Sequence, residues 1–330
     1  MQGEQGDNLV YNDEELRLMI KIAHMYYEED MTQSQIAKEL NINRTAISRT
    51  LKKMREEGTV KISINYNLSK TFQIEQELVK RFRLKEAIVV PCEKGQSSQT
   101  KLRSLGRGAA QLLNRIIEDN DVVGFSWGSS LAATIDELVT TKEQDVLFVP
   151  LIGGPSGKLE SKYHVNTIVY NAAQLFNGKS KLIDFPALVE KKKTAEDIKQ
   201  SIYFQEILKL WDKVTIALVG IGSPALSGSS TWGGFYGEEF CEELESANVA
   251  GDICSHFYNL NGEQVPTSIS ERTISIDLDH LKEMRYSVGI AESPEKVSAI
   301  IGALNGRYLN VLVTTEETAE LILKKSVQLT

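Results

Sequence analysis

Short apolar runs alternate with amphipathic stretches through most of this 330-residue chain, and that alternation leaves few folds open. Ala87–Pro91, Asp121–Ser126, Val146–Ile152, Lys181–Val189, Val214–Ile221, Val288–Ala291 and Asn310–Thr314 read as strands, most of them apolar on both faces. Between them, Leu102–Ile117, Ser130–Leu138, His164–Phe176, Ile202–Trp211, Phe235–Ala247, Glu295–Leu304 and Glu316–Lys325 space their apolar residues at helical intervals. Strands buried on both sides and separated by helices predict an α/β domain with a mostly parallel sheet. Ile253–Tyr258 and Thr273–Ile276 add two strand-like runs, with Asn261-Gly262 as a turn between them. Phe72–Phe82 reads as a helix leading into the first strand.

The first sixty-odd residues follow another pattern. Thr32 and Gln35 form a capping box, so a helix begins there, and Asn41-Ile42 interrupts it because asparagine competes for local backbone hydrogen bonds. Asn43 is an N-cap for a second helix, with Ile47, Leu51 and Met54 on its inner side and Gly58 placed to end it. Asp13–Glu28 supplies a supporting helix through Leu16, Met19, Ile20, Ala23, Met25 and Tyr26 or Tyr27, and Thr59–Ile64 alternates like the strand of a wing. Two short helices meeting at a tight turn predict a helix-turn-helix that reads DNA. Thr32, Gln33, Arg44, Thr45, Ser48, Arg49, Lys52 and Lys53 are the residues expected to meet it. Charge agrees: Met31–Ile64 carries seven Lys or Arg against three Glu, whereas the whole chain is −8. The turn-rich Asn65–Lys70 divides the chain into a DNA-binding domain, 1–65, and a larger domain, 66–330.

With 42% hydrophobic and 25% charged residues the chain can bury a full core. The polar, acidic N-terminus is no secretory signal and no apolar run approaches the ~20 residues that span a bilayer, so a cytoplasmic protein without a membrane partner is expected. Cys92, Cys241 and Cys254 lack metal or disulfide spacing and read as buried thiols, and no cofactor or metal is expected. His24, on the supporting helix, reads as structural.

In a parallel sheet, ligands gather at the carboxyl ends of the strands. Three glycine-rich loops follow predicted strands: Gly124–Ser130, Gly153–Gly157 and Gly220–Pro224. Free N–H groups at a helix start beside serine hydroxyls suit an anion, which makes Gly128, Ser129 and Ser130 the first candidate phosphate site. His164, Asp252 and Lys296 lie near other strand ends and suit a polar ligand such as a sugar. Gly124-x-Ser126-x-Gly128 also matches a nucleophile elbow, for which His256 or His280 would complete a serine hydrolase. No HGGG-type oxyanion loop precedes it, and Ser126 reads as part of a buried strand.

The helix-turn-helix, Gly-x-Ser-Trp-Gly-Ser-Ser, Val-Pro-Leu-Ile-Gly-Gly, Val165-Asn166-Thr167 and Gly251-Asp252-Ile253-Cys254 together resemble the SorC family of bacterial sugar-responsive transcription regulators over nearly the full length. The resemblance implies a winged helix-turn-helix joined to an effector domain similar to the sugar-phosphate isomerase and glucosamine-phosphate deaminase fold, acting as a sensor. It implies operator DNA and a phosphorylated sugar or polyol as partners, and a homodimer or homotetramer. By position it implies Gly128, Ser129 and Ser130 as phosphate loop, with Gly153, Gly154, His164, Asn166, Gly222, Ser223, Asp252 and Lys296 as further effector contacts. Ile152 stands where some relatives carry an arginine or a reactive lysine, so a monophosphorylated, noncovalent effector is expected. The alternative is an isomerase or deaminase, or the serine hydrolase, carrying a DNA-binding head.

Overall fold

The computed structural model describes residues 13–60, 70–92, 95–140, 144–155, 159–226, 235–236 and 240–328. The chain divides into two compact units, Met1–Tyr66 and Asn67–Thr330.

The first unit contains α1 (Asp13–Tyr27), α2 (Gln33–Glu39) and α3 (Arg44–Glu56). The Thr32 hydroxyl accepts from Gln35 N–H while the Gln35 side chain returns to Thr32 N–H at 2.8 Å, so both ends of the capping box close. Asn41 at φ +52° makes the turn, and Asn43 Oδ1 caps α3 by accepting from Thr45 N–H at 3.0 Å. Gly58 follows the last turn at φ +73°, a conformation without penalty for glycine. Ile22 and Met25 of α1 pack on Ile36 of α2 and on Ile47 and Leu51 of α3, all buried. The expected inner face of α1 is corrected at one position: Ile20 is 51% exposed and Ile22 is 2% exposed. Lys61–Ile64, most of the expected wing, lie outside the described residues.

Ile47 is fully buried at the centre of this small core. Ile47→Ala is expected to cost about 2–5 kcal/mol, because neighbours collapse only partly into the cavity. A denaturation curve should show the helical unit unfolding earlier; an unchanged curve would contradict the packing described.

The second unit is built on seven parallel strands in the order β1 (Glu86–Val90), β9 (Val311–Thr315), β8 (Tyr286–Ile290), β5 (Ile216–Gly220), β2 (Val122–Phe125), β3 (Leu147–Pro150) and β4 (Lys179–Ser180). Successive strand residues face opposite sides, and all five residues of β9 are buried, so both faces of the sheet are covered. The connecting helices are α4 (Lys70–Phe82), α5 (Ser98–Ile116), α6 (Ser129–Asp136), α7 (Val165–Leu175), α8 (Lys192–Gln200), α9 (Ile202–Trp211), α10 (Cys241–Ser246), α11 (Leu278–Glu283), α12 (Val297–Asn305) and α13 (Glu316–Val327).

Three expectations are corrected. Lys181–Val189 is not a strand: β4 ends at Ser180, and the segment makes only isolated bridges, Gly154 with Pro186 and Leu188 with Thr273. Pro186 has no N–H to continue a ladder. Ile253–Tyr258 is not one strand either. It folds into a hairpin of β6 (Gly251–Ile253) and β7 (His256–Tyr258), because Cys254 and Ser255 both take positive φ, +52° and +63°. Thr273–Ile276 likewise forms single bridges, Thr273 with Leu188 and Ser275 with Ile152, instead of a strand. Of Phe235–Ala247, Cys241–Ser246 is helical, and several residues before it lie outside the described set.

Candidate functional site

Two surfaces carry the predicted chemistry. On α3, burial of Ile47, Leu51 and Met54 turns Arg44, Thr45, Ser48, Arg49, Lys52 and Lys53 outward, all exposed. The caps use part of this set: Thr45 Oγ1 donates to Asn43 Oδ1 at 2.9 Å, and Thr32 is held in its box, while Gln33 is half-buried. Lys52 lies 3.6 Å from Glu56 and Lys53 3.9 Å from Glu57, exposed i,i+4 pairs that contribute only tenths of a kcal/mol by the usual scale of about 0.3–0.5. At Lys52, exposed together with Glu56, such a pair yields readily to a stronger anion.

The second surface is a cleft of about 380 Å3 at the carboxyl ends of β2, β5 and β8. From β2 the chain proceeds through β3 to β4 on one side, whereas β5, β8 and β9 lie on the other. A crevice opens where strand order reverses in this way, and the volume falls within the range of about 300–1,000 Å3 usual for small ligands. Cross-strand bonds fix its walls. Ser126 N–H donates to Leu218 O at 3.0 Å, and Gly220 N–H donates to Ser126 Oγ at 3.0 Å. Gly222 N–H donates to Asp252 O at 2.9 Å, tying the hairpin to the loop after β5, and Ser223 Oγ donates to Glu295 O at 2.9 Å.

Gly128 opens α6 at φ +125°, backbone that disfavours any residue with a Cβ. No side chain caps this helix, so its first N–H groups and the Ser129 and Ser130 hydroxyls are presented to the cleft. Trp127 lies beside them, its ring 4.7 Å from that of Phe235, and its buried Nε1–H has no hydrogen-bond partner among the described residues.

Asp252 is buried, and its Oδ2 accepts from Ser255 N–H at 3.2 Å and from the Tyr236 hydroxyl at 3.3 Å. Burial, then the Asp252 charge, pushes the Tyr236 hydroxyl and the Cys254 thiol well up, so both stay protonated. The half-buried Lys296 ammonium is shifted down by lost hydration, against the pull of Glu292 and Asp252. Glu292, also half-buried, is shifted up by the same loss, opposed by Lys101 and Lys296.

Gly128, Ser129, Ser130, Gly222, Ser223, Asp252 and Lys296 therefore meet in one cleft. Gly153, Gly154, His164 and Asn166 do not line it. Gly153 passes so close to Pro186 and Ala187 that a Cβ would sit 2.5 Å from their backbone. Gly154 N–H donates to Phe185 O at 2.8 Å. His164 caps α7, with Nδ1 accepting from Asn166 N–H at 3.1 Å, and its pKa is lowered by burial. The Asn166 amide clamps both backbone groups of Ile183. Sequence reasoning missed Ser98, Trp127 and Glu292 as cleft residues. No local signal marked Glu292, because an acid after an apolar strand reads equally as a surface acid.

The hydrolase constellation is absent from this arrangement. Ser126 Oγ is engaged by Gly220, His256 Nε2 lies 3.0 Å from Ser275 Oγ, and exposed His280 lies 3.3 Å from Asp212. Neither histidine lines the cleft. His24 is exposed and pairs with Glu28 at 2.9 Å and Glu29 at 3.2 Å. Among the described residues no acid, His and Cys cluster could hold a metal, and no helix is long and apolar enough to cross a membrane.

Residues 66–324 match the family described as "Putative sugar-binding domain", and residues 19–66 match the family "HTH domain". The chain is 49% identical to the sorbitol operon regulator of Klebsiella pneumoniae, covering 95% of this chain and 99% of that one. It is 29% identical to the deoxyribonucleoside regulator of Bacillus subtilis, covering 93% and 97%. Among solved structures, the full-length sorbitol operon regulator SorC of Klebsiella pneumoniae superposes with a TM-score of 0.75 at 48% identity, covering 95% of this chain and all of that one.

Proposed function

The chain belongs to the SorC family of bacterial sugar-responsive transcription regulators, and on that premise we propose that a phosphorylated sugar or polyol bound in the cleft controls its operator binding. It is a regulator, not an enzyme, as its relatives are. The observation that carries the effector reading is the convergence of Gly128–Ser130, Gly222–Ser223, Asp252 and Lys296, from separate strand ends, on one cleft of ligand size. The phosphate takes the α6 N–H groups with the Ser129 and Ser130 hydroxyls, and Lys296 adds the cation. Asp252 meets the sugar hydroxyls, while Gly153, Gly154, His164 and Asn166 hold the frame behind the site. The sorbitol named for the Klebsiella relative makes a hexitol phosphate the first ligand to try.

Arg44, Thr45, Ser48 and Arg49 meet base edges and Lys52 and Lys53 meet phosphates, with Thr32 and Gln33 at the backbone beside them. The same proposal includes division near residue 65, an effector domain like the sugar-phosphate isomerase and glucosamine-phosphate deaminase fold, a cytoplasmic location and a homodimer or homotetramer. Ligand control requires different affinity for two arrangements of paired heads.

A thermal-shift screen of sugar phosphates tests the effector reading. A ligand at a hundred times its dissociation constant stabilises the native state by about 2.7 kcal/mol, which raises the midpoint by several degrees. Shifts with the unphosphorylated sugars, but not their phosphates, would count against it.

A further inference from the structure

Two charged side chains in the cleft, Glu292 and Lys296, feel each other's charge but make no direct hydrogen bond or ion pair among the described residues. Both are half-buried. Asp252 differs, because its Oδ2 already supports the hairpin turn through Ser255 and Tyr236. A carboxylate partly withdrawn from water without compensating hydrogen bonds is costly, and the upward shift of Glu292 reflects that cost. A ligand supplying donors relieves it.

The geometry points to Glu292 as the residue that selects a hydroxyl-bearing chain on the effector, and that selects against a second phosphate. The inference rests on the phosphate reading of Gly128–Ser130. Glu292 sits at the end of β8 in the same cleft, on an element separate from the phosphate loop at the end of β2. An ionised carboxylate is acceptor-only, with two oxygens that match adjacent hydroxyls of a polyol. A phosphate group carries charge of the same sign and is disfavoured beside the carboxylate, with Lys101 and Lys296 offsetting part of that repulsion. Phosphate at the α6 N-terminus and hydroxyls at Glu292 therefore give the ligand one direction in the cleft, and Ile152, also lining it, offers no cation for a second phosphate.

The test compares isothermal titrations of inorganic phosphate, sorbitol 6-phosphate and fructose 1,6-bisphosphate on wild-type protein, Glu292→Gln and Glu292→Ala. Glu292→Gln keeps the shape and removes the charge. Both variants should bind sorbitol 6-phosphate about 10–100-fold more weakly, the worth of a hydrogen bond to a charged group. Inorganic phosphate should bind with unchanged or slightly higher affinity, and fructose 1,6-bisphosphate should gain. Thermal midpoints matching wild type confirm that the variants are folded. If the three ligands keep their wild-type affinity ratios in both variants, Glu292 does not select the ligand, although the phosphate site stands. If wild-type protein binds no phosphate ester, the phosphate reading falls and this inference falls with it.

Discussion

Ser129→Ala combined with Ser130→Ala is expected to abolish the response to a sugar phosphate while leaving operator affinity within about twofold of wild type. The two hydroxyls stand at the uncapped start of α6, and each would donate to a charged phosphate oxygen. Such bonds contribute about 1.5–3 kcal/mol each, so losing both weakens the ligand at least a hundredfold. The helix itself should survive. Its cap is the Gly128 backbone, the Ser130 carbonyl that binds Thr134 Oγ1 at 2.8 Å is unchanged, and alanine is a strong helix former. Anisotropy titrations of labelled operator with and without ligand separate the two functions. A variant that still responds at wild-type ligand concentrations would place the phosphate elsewhere.

Arg49→Ala is expected to weaken operator binding about 10–100-fold at fixed salt without lowering the stability of the helical unit. Arg49 is exposed on α3 opposite the buried Ile47, Leu51 and Met54, and no ion pair engages it among the described residues. A bidentate contact from arginine to guanine contributes about 1–3 kcal/mol of discrimination. Lys52→Ala should act differently, weakening all sequences alike and lowering the salt slope by about one. Equal loss on operator and on random duplex in Arg49→Ala would reassign it from base to phosphate contact.

Local chemistry made the helical unit legible. The Thr32–Gln35 box and the Asn43 cap involve residues two or three apart, and each forms the bond that its sequence implies. Ile20 misled because adjacent apolar residues on one helix compete for the same face, and only packing against Ile36 and Ile47 selects Ile22. In the sheet, β2, β5, β8 and β9 were legible as runs buried on both faces. Lys181–Val189 has comparable apolar content, but Asn166 and Gly154 hold it by long-range contacts that no local pattern records. The hairpin turn at Cys254-Ser255 was hidden because such turns favour Asn and Gly. The α8 helix was missed for the opposite reason, since Ala195 is its one buried residue and it has almost no apolar face.

At the cleft, the Gly128–Ser130 turn was legible as a helix start because glycine at positive φ followed by serines is a sequence pattern with a backbone cause. His164 and Asn166 sat correctly at a helix start, but the cap and the Ile183 clamp consume their polar atoms. Glu292 was missed because nothing local distinguishes an acid after a strand from a surface acid; its cleft position depends on β8 lying beside β5.

In the proposed mechanism a phosphorylated ligand in the cleft sets the affinity of the helix-turn-helix for DNA. The direct measurement is operator affinity of the full chain, on a duplex selected from a randomised pool, with and without saturating sorbitol 6-phosphate at one salt concentration. Coupling of ordinary size, about 1–3 kcal/mol, predicts a change of about 5–150-fold in either direction, absent with free sorbitol. Identical operator affinity with the cleft occupied, as shown by a raised thermal midpoint, would contradict it.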